Sequence, residues 1–516
     1  MHIFWHVGTL LYPFLLALYP ILFLYTNNSG QFHPNVLTGP MALSLGLTLV
    51  LCTIARLVTR DARRASMIAA AGLTTFFAYG HVFSAVYVAS AHAMVPTTLD
   101  GNLAAYEWRL QWVLCTAMFF FTALAIRSIA KLRDEPLTAL TRALTVGALT
   151  LMTIIGAEAI AGATSDLVPS QHTKRKVTPT ADPTKPDIYQ IVLDGYARQD
   201  ILAQHFGFDN ARFLGALEDD GFQVLGQARA NFYWTPLSLA SMLNLRYVDY
   251  LADSLGRETT DIRVPFEMLR DSEVSRFLKS RGYSTVHLGS TWAGTMENPT
   301  ADVEIQCATG WFQNDFYRAL AESSLFRVFR SRITIDLATC HLAQLEALER
   351  TATLPGPKYV FAHFIPPHHP YLFDRHGTIL TSATVVDQFQ YQNYLWSRRD
   401  LYTDQLHYMN DRVQHVVRSI ISQSRRPALI ILHSDHGPQL IDNKGAKQAD
   451  DQSARFGVFL AIRTPDESKG LPSDLNLVNV YRLLLNRYFN EDLPLLPPSQ
   501  FYSPFSKPYA FERVAW

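Results

Sequence analysis

A chain of 516 residues is too long for one ordinary domain. Its apolar residues crowd before about Ala161 and thin to ordinary density after it, so two regions with different solvents are expected. Lysine plus arginine equals aspartate plus glutamate at 45 each, and a formal net charge of zero supplies no basic field to hold nucleic acid, which excludes that class of partner.

In chain order, the apolar stretches come first: Ile3–Tyr25, Met41–Leu57, Met67–Ala89, Leu110–Ile126 and Leu140–Ala161, each near the ~20 residues that cross a bilayer. The connection after the second holds Arg56, Arg60, Arg63 and Arg64, and the one after the fourth holds Arg127, Lys131 and Arg133. The other two, Asn27–Pro40 and Ser90–Arg109, carry almost no cationic charge. The positive-inside rule makes the Arg-rich connections cytoplasmic, so the N-terminus is expected inside and everything beyond Ala161 outside. The first stretch has neither a basic start nor a small-residue cleavage site, so it reads as a span and not as a removed signal. The expected layout is a five-helix membrane domain over 1–162, a linker over 163–186 and an exported domain over 187–516. Cys52 and Cys115 fall inside apolar stretches, whereas Cys307 and Cys340 lie in the exported half, where an oxidising compartment permits a disulfide.

Ser165–Pro186 is rich in Ser, Thr, Pro and Lys and has no apolar period, which reads as a tether. The run Asp187–Leu193 then has the composition of a strand buried on both faces and ends in Asp194-Gly195. Further strand-like runs follow at Ser284–Leu288, Tyr359–Phe364, Ala428–Leu432 and Phe456–Ile462. Helical patterns lie between them at Asp200–Phe206, Ala211–Asp220, Val274–Arg281, Leu342–Arg350 and Tyr402–Ile421. Strands alternating with helices predict an α/β domain with a largely parallel central sheet, whose ligands bind beyond the carboxyl ends of the strands.

Chemistry-bearing residues fall at those ends. Asp194 follows one strand, His363 and His368 lie at and after another, and Asp435-His436 follows a third. Asn231-Phe-Tyr-Trp-Thr235-Pro-Leu-Ser238 adds a polar start to a helix. Taken singly, Asp-Gly reads as a tight turn, Thr-Pro as a helix start, and the His363–Tyr371 loop as a proline-stiffened turn with solvated histidines. Taken together, two carboxylates at strand ends and a histidine favour a divalent cation such as zinc or manganese. A cation would activate Thr235, and the helix start would help to hold phosphate oxygens. His433, inside its strand end, reads as packed.

The combination of Ile191-Val-Leu-Asp194-Gly-Tyr, Thr235 near Ser238, His363-x4-His368-x-Pro-Tyr and Ser434-Asp435-His436-Gly437 resembles the sulfatase-like branch of the alkaline phosphatase superfamily. With the apolar stretches before it, the layout is similar to lipoteichoic acid synthases and lipid A phosphoethanolamine transferases of the bacterial inner membrane. The resemblance implies a multi-span helical membrane domain followed by an α/β catalytic domain facing the periplasm or exterior. It implies that Asp194, Thr235, Asp435 and His436 hold one metal ion, with Thr235 the covalent nucleophile. His368 would contact substrate or a second metal, with His363 its neighbour. The chain departs from those transferases in carrying Asp194 where they usually have Glu, and in having no histidine after His436. Trp234-Thr-Pro-Leu-Ser238 lacks the Cys/Ser-x-Pro-x-Arg motif of true sulfatases, which argues against sulfate ester hydrolysis.

The expected reaction is transfer of a phospho-head group, of the phosphoglycerol or phosphoethanolamine type, from a membrane phospholipid to an envelope glycan or lipid. The alternatives are a phosphodiesterase or phosphatase of the same superfamily, and a non-catalytic envelope lipid sensor, against which the four metal-type residues count.

Overall fold

The computed structural model describes residues 2–28, 31–32, 34–94, 102–163, 185–307, 314–380, 396, 398–440, 448–466 and 470–514. All but the end of the tether expected over Ser165–Pro186 lies outside the described residues. Two units emerge. One joins Met1–Gln171 to Asp315–Ile333, and the other joins His172–Asn314 to Thr334–Trp516.

In the first unit every apolar stretch lies in a helix: α1 (His2–Thr26), α2 (Thr38–Thr59), α3 (Ala62–Met94), α4 (Asn102–Lys131) and α5 (Asp134–Ala163). Among the described residues four segments are long and apolar enough to cross a membrane: Pro34–Thr59, Ala62–Tyr87, Trp108–Lys131 and Asp134–Glu158. Leu11–Thr26 of α1 forms a shorter apolar helix. Their outward faces are apolar, with Leu57, Val58 and Phe121 exposed, as a surface meeting lipid requires. Hydroxyls stitch the helices: Ser44 donates to the Ala17 carbonyl at 3.0 Å, and Thr75 and Thr122 share a hydrogen bond of 2.6 Å. The two Arg-rich connections meet, since Arg64 donates to the Leu132 carbonyl at 2.8 Å and Arg63 to Thr138 at 2.7 Å.

Asp315–Ile333 packs on these helices. Phe316 meets Tyr25 and Phe32 edge-on, Phe326 meets Phe76, and the Arg327 guanidinium lies 4.3 Å above the Phe83 ring while pairing with Glu322. A Cβ on Gly80 would sit 2.1 Å from the Glu322 carbonyl oxygen, so only glycine lets the two backbones approach this closely.

The second unit is built on a seven-stranded sheet in the order β2-β7-β6-β1-β5-β3-β4. The strands are β1 (Asp187–Leu193), β2 (Phe222–Val224), β3 (Ser284–Leu288), β4 (Val303–Ile305), β5 (Lys358–Phe364), β6 (Ala428–His433) and β7 (Leu460–Arg463). All pairs from β6 through β4 are parallel; β7 runs antiparallel to β6 and to β2. The central strands are buried on both faces, which explains their unbroken apolar runs. Their side chains join Leu345, Leu348, Leu406, Val413, Val417 and Ile420 from flanking helices in one core. The run read as Phe456–Ile462 splits, because Phe456 closes the helix Gln448–Phe456 and the chain enters the sheet only at Leu460. Cys307 and Cys340 form a disulfide.

Candidate active site

β1, β5 and β6 are neighbours and parallel, so their carboxyl ends deliver Asp194, His363 and Ser434-Asp435-His436 to one place. The turn after β6 is fixed from both sides. Ser434 Oγ accepts from the Tyr196 N–H at 2.9 Å and donates to the His436 carbonyl. The Gly437 N–H donates to the Arg455 carbonyl at 2.7 Å, and a Cβ on Gly437 would lie 2.0 Å from the Ala454 carbonyl oxygen, which accounts for the glycine. Thr235 opens the helix Thr235–Leu243, and Ser238 one turn on fastens that helix to the site by donating to the Asp435 carbonyl at 2.6 Å.

All six residues singled out in the sequence come together. Thr235 Oγ1 is 3.0 Å from His436 Nε2. His436 Nε2 is 3.3 Å from Asp435 Oδ2 and 3.5 Å from Asp194 Oδ1. His363 Nε2 is 3.5 Å from Asp194 Oδ2. Asp194, His368 and His436 each offer a ligand atom, all within 4.8 Å of one another. The backbone of the His368 loop is tied to β1 by the His368 N–H, which donates to the Asp194 carbonyl at 3.0 Å. His369 is buried against His368 and Trp396, behind the cluster. His433 is packed as read, held by Gln190 at 2.9 Å.

The electrostatics of the cluster follow from burial and from the two carboxylates side by side. Burial, then the Asp194 charge, pushes the Asp435 carboxyl up to about 7, and burial raises Asp194 too. Burial holds His363 down at about 4 and His368 and His436 below the usual imidazole range, so all three are neutral at neutral pH. Asp194 Oδ1, Asp435 Oδ2 and His363 Nε2 are buried without a hydrogen-bond partner among the described residues. Two ligand atoms sharing a tetrahedral cation lie ~3.4 Å apart, given metal–ligand distances of ~2.0–2.2 Å. The separations of 3.0–3.5 Å around His436 match that, so the residues present fit a divalent cation.

Sequence reasoning missed two participants. Arg455, fully buried, donates to the Tyr233 and Gly437 carbonyls at 2.9 and 3.0 Å and is the cation whose field reaches both aspartates. Nothing in its local sequence marks it. Thr295, in the loop after β3, touches His363 Nδ1 at 2.9 Å. The signal that could have found it is the strand-end rule applied to a fourth strand.

The fold and the clustered donors define an α/β enzyme of the alkaline phosphatase superfamily. The family profile described as Sulfatase matches residues 187–474, more than half of the chain, and the chain belongs to the sulfatase family. Among solved structures it is similar to the C-terminal periplasmic domain of EcEptC from Escherichia coli, at 10% identity and a TM-score of 0.42, covering 64% of this chain and 94% of that one. It is similar to the integral membrane lipooligosaccharide phosphoethanolamine transferase A from Neisseria meningitidis, at 12% identity and a TM-score of 0.37, covering 88% of each. It is also similar to the putative sulfatase yidJ from Bacteroides fragilis, at 14% identity and a TM-score of 0.37, covering 63% of this chain and 77% of that one. No curated protein matches it.

Proposed function

We propose that the protein transfers a phospholipid-derived phospho-head group, of the phosphoglycerol or phosphoethanolamine type, to an envelope glycan or lipid through a phosphothreonine ester on Thr235. The observation that carries this reading is the contact of 3.0 Å between Thr235 Oγ1 and His436 Nε2, at the edge of the buried Asp194–Asp435 pair. His436 Nδ1 donates to the Gly437 carbonyl at 3.0 Å, so Nε2 turns a lone pair toward Thr235 Oγ1, available to a cation held by both. Asp194, Thr235, Asp435 and His436 would hold a divalent cation, zinc or manganese, which when bound supplies Lewis-acid neutralisation of charge and a lowered hydroxyl pKa. Thr235, its proton released to solvent on activation, attacks phosphorus; the bond to the diacylglycerol oxygen breaks, and that oxygen takes up a proton from solvent as it leaves. An acceptor hydroxyl then attacks the phosphothreonine ester and restores Thr235. His368, whose Nδ1 donates to the His369 carbonyl at 2.6 Å, keeps an Nε2 lone pair for the head group or an attacking hydroxyl proton.

In this reading all five apolar helices cross the inner membrane, the N-terminus is cytoplasmic, and residues 187–516 work on the periplasmic or outer side beside their lipid donor. The test is diacylglycerol release by detergent-purified full-length protein from phosphatidylglycerol and phosphatidylethanolamine supplied separately, with zinc or manganese. Release is expected from one lipid and is expected to fall at least ~10³-fold in Thr235→Ala, as for loss of a covalent nucleophile. Undiminished release by that variant would refute the mechanism.

A further inference from the structure

Of the five histidines at the carboxyl ends of β5 and β6 or just beyond, three have their tautomer fixed the same way. Nδ1 of His368, of His433 and of His436 faces a backbone carbonyl, at 2.6, 2.9 and 3.0 Å. A carbonyl only accepts, so each carries its proton on Nδ1 and a lone pair on Nε2. His363 differs. Its Nδ1 faces a hydroxyl, Thr295 Oγ1, at 2.9 Å, and a hydroxyl either donates or accepts. Which it does decides whether His363 turns a proton or a lone pair toward Asp194 Oδ2.

The loop after β3 offers the Thr295 proton a partner other than His363. Ser290 Oγ accepts from the Trp292 N–H at 3.1 Å and donates its only proton to the Trp292 carbonyl at 3.3 Å. Either hydroxyl can donate across the 2.8 Å contact between Ser290 Oγ and Thr295 Oγ1; with the Ser290 proton on the Trp292 carbonyl, it is the Thr295 proton that makes it. In that arrangement Thr295 accepts from His363 Nδ1–H. The lone pair of His363 Nε2 then points at Asp194 Oδ2, 3.5 Å away, where two electron-rich atoms face each other, buried, without a proton between them. A cation shared between them satisfies both. The loop is built firmly enough to hold it: His287 Nε2 donates to the Thr295 carbonyl at 3.0 Å, and Gln344 Nε2 donates to the His363 carbonyl at 2.9 Å.

We propose that Ser290 and Thr295 are positioning residues that lock His363 in its Nδ1–H tautomer and so make its Nε2 a cation-facing donor alongside Asp194. This rests on the metal-dependent reading above and adds the device that orients one of its ligand-type groups.

The test is divalent-ion affinity of the full-length protein in detergent, measured with zinc by competition against a chelating dye. Variants are Thr295→Val, which keeps shape and removes the acceptor, Thr295→Ser, which restores it, and Ser290→Ala, which frees the Thr295 proton to turn toward His363. Thr295→Val and Ser290→Ala are expected to weaken zinc binding ~10–100-fold, the usual cost of losing a partner that orients a ligand, with Thr295→Ser close to wild type. Melting of the zinc-free proteins separates a lost fold from a lost tautomer, and Ser290→Ala keeps the test open if Thr295→Val does not fold. Wild-type affinity in folded Thr295→Val or Ser290→Ala overturns the inference, and if the wild type then still releases diacylglycerol the transfer reading stands. Weakened binding in both, beside a wild type that releases none, supports the inference and fails the transfer reading.

Discussion

Strand β1 begins on one buried aspartate, Asp187, and is followed by another, Asp194, and the protein treats them oppositely. Asp187 is matched: Lys358 Nζ donates to it at 2.6 Å, and the Lys358 ammonium reaches the Leu354 carbonyl at 3.0 Å as well. Asp194 has a second carboxylate, Asp435, beside it, neutral histidines around it, and an oxygen with no partner among the described residues. A buried charge that serves only the fold is completed within the fold. One left incomplete, at the end of the sheet where ligands bind, points to a partner that comes from outside the chain.

Substitutions at the two ends should therefore fail in different ways. The largest effect is expected from Asp194→Asn or Asp435→Asn, which should lower diacylglycerol release by ~10²–10³-fold or more, the range for losing one electrostatic partner of the transition state. Melting of the metal-free protein should hold or rise, because a like-charge burial is relieved; a large fall would erase the contrast. Next, Asp187→Ala strands the Lys358 ammonium and is expected to cost ~3–5 kcal/mol in denaturant unfolding. Metal affinity should respond only through the lost fold. The third effect is that of pH. Because the Asp435 carboxyl is raised to about 7 and Asp194 is raised with it, protons compete with the cation below that value. Zinc affinity should climb from pH 5 to 7, by about tenfold per unit for each proton released, and then level off. His363, lowered to about 4, adds no dependence in that window. Without metal the sign reverses: the folded state keeps carboxyl protons that the unfolded chain sheds above about pH 4, so stability should fall as pH rises toward 7. A flat affinity profile would show the carboxylates already ionised.

How much of this was legible follows from how local each signal is. Asp187–Leu193 and Ser284–Leu288 were readable to the residue, since an apolar β-branched run broken by a turn is written in consecutive positions. Phe222–Val224 and Val303–Ile305 were not, because three-residue edge strands carry too few positions to show a period. The six site residues announced themselves as strand-end or helix-start chemistry. Thr295 did not, since 68 residues separate it from His363 and only the pairing of β3 with β5 joins them. Arg455 is likewise an ordinary helix residue until the turn at Gly437 folds onto it. Asp315–Ile333 carries too few apolar positions to read as a span, and its attachment to the helices depends on aromatic contacts far apart in the chain.

That last attachment bears on how the protein comes apart. A single cut in the tether leaves Asp315–Ile333 in the same polypeptide as the sheet, while Tyr25, Phe32, Phe76 and Phe83 remain on the other piece. The halves should stay associated in a mild detergent after such a nick and co-elute until the aromatic contacts are stripped. A fragment beginning at residue 187 should expose Phe316 and Phe326 and need detergent to stay dispersed, unless both side chains are replaced by polar ones. What looks in the sequence like a leash with a freely detachable head behaves as a clasp with two hooks.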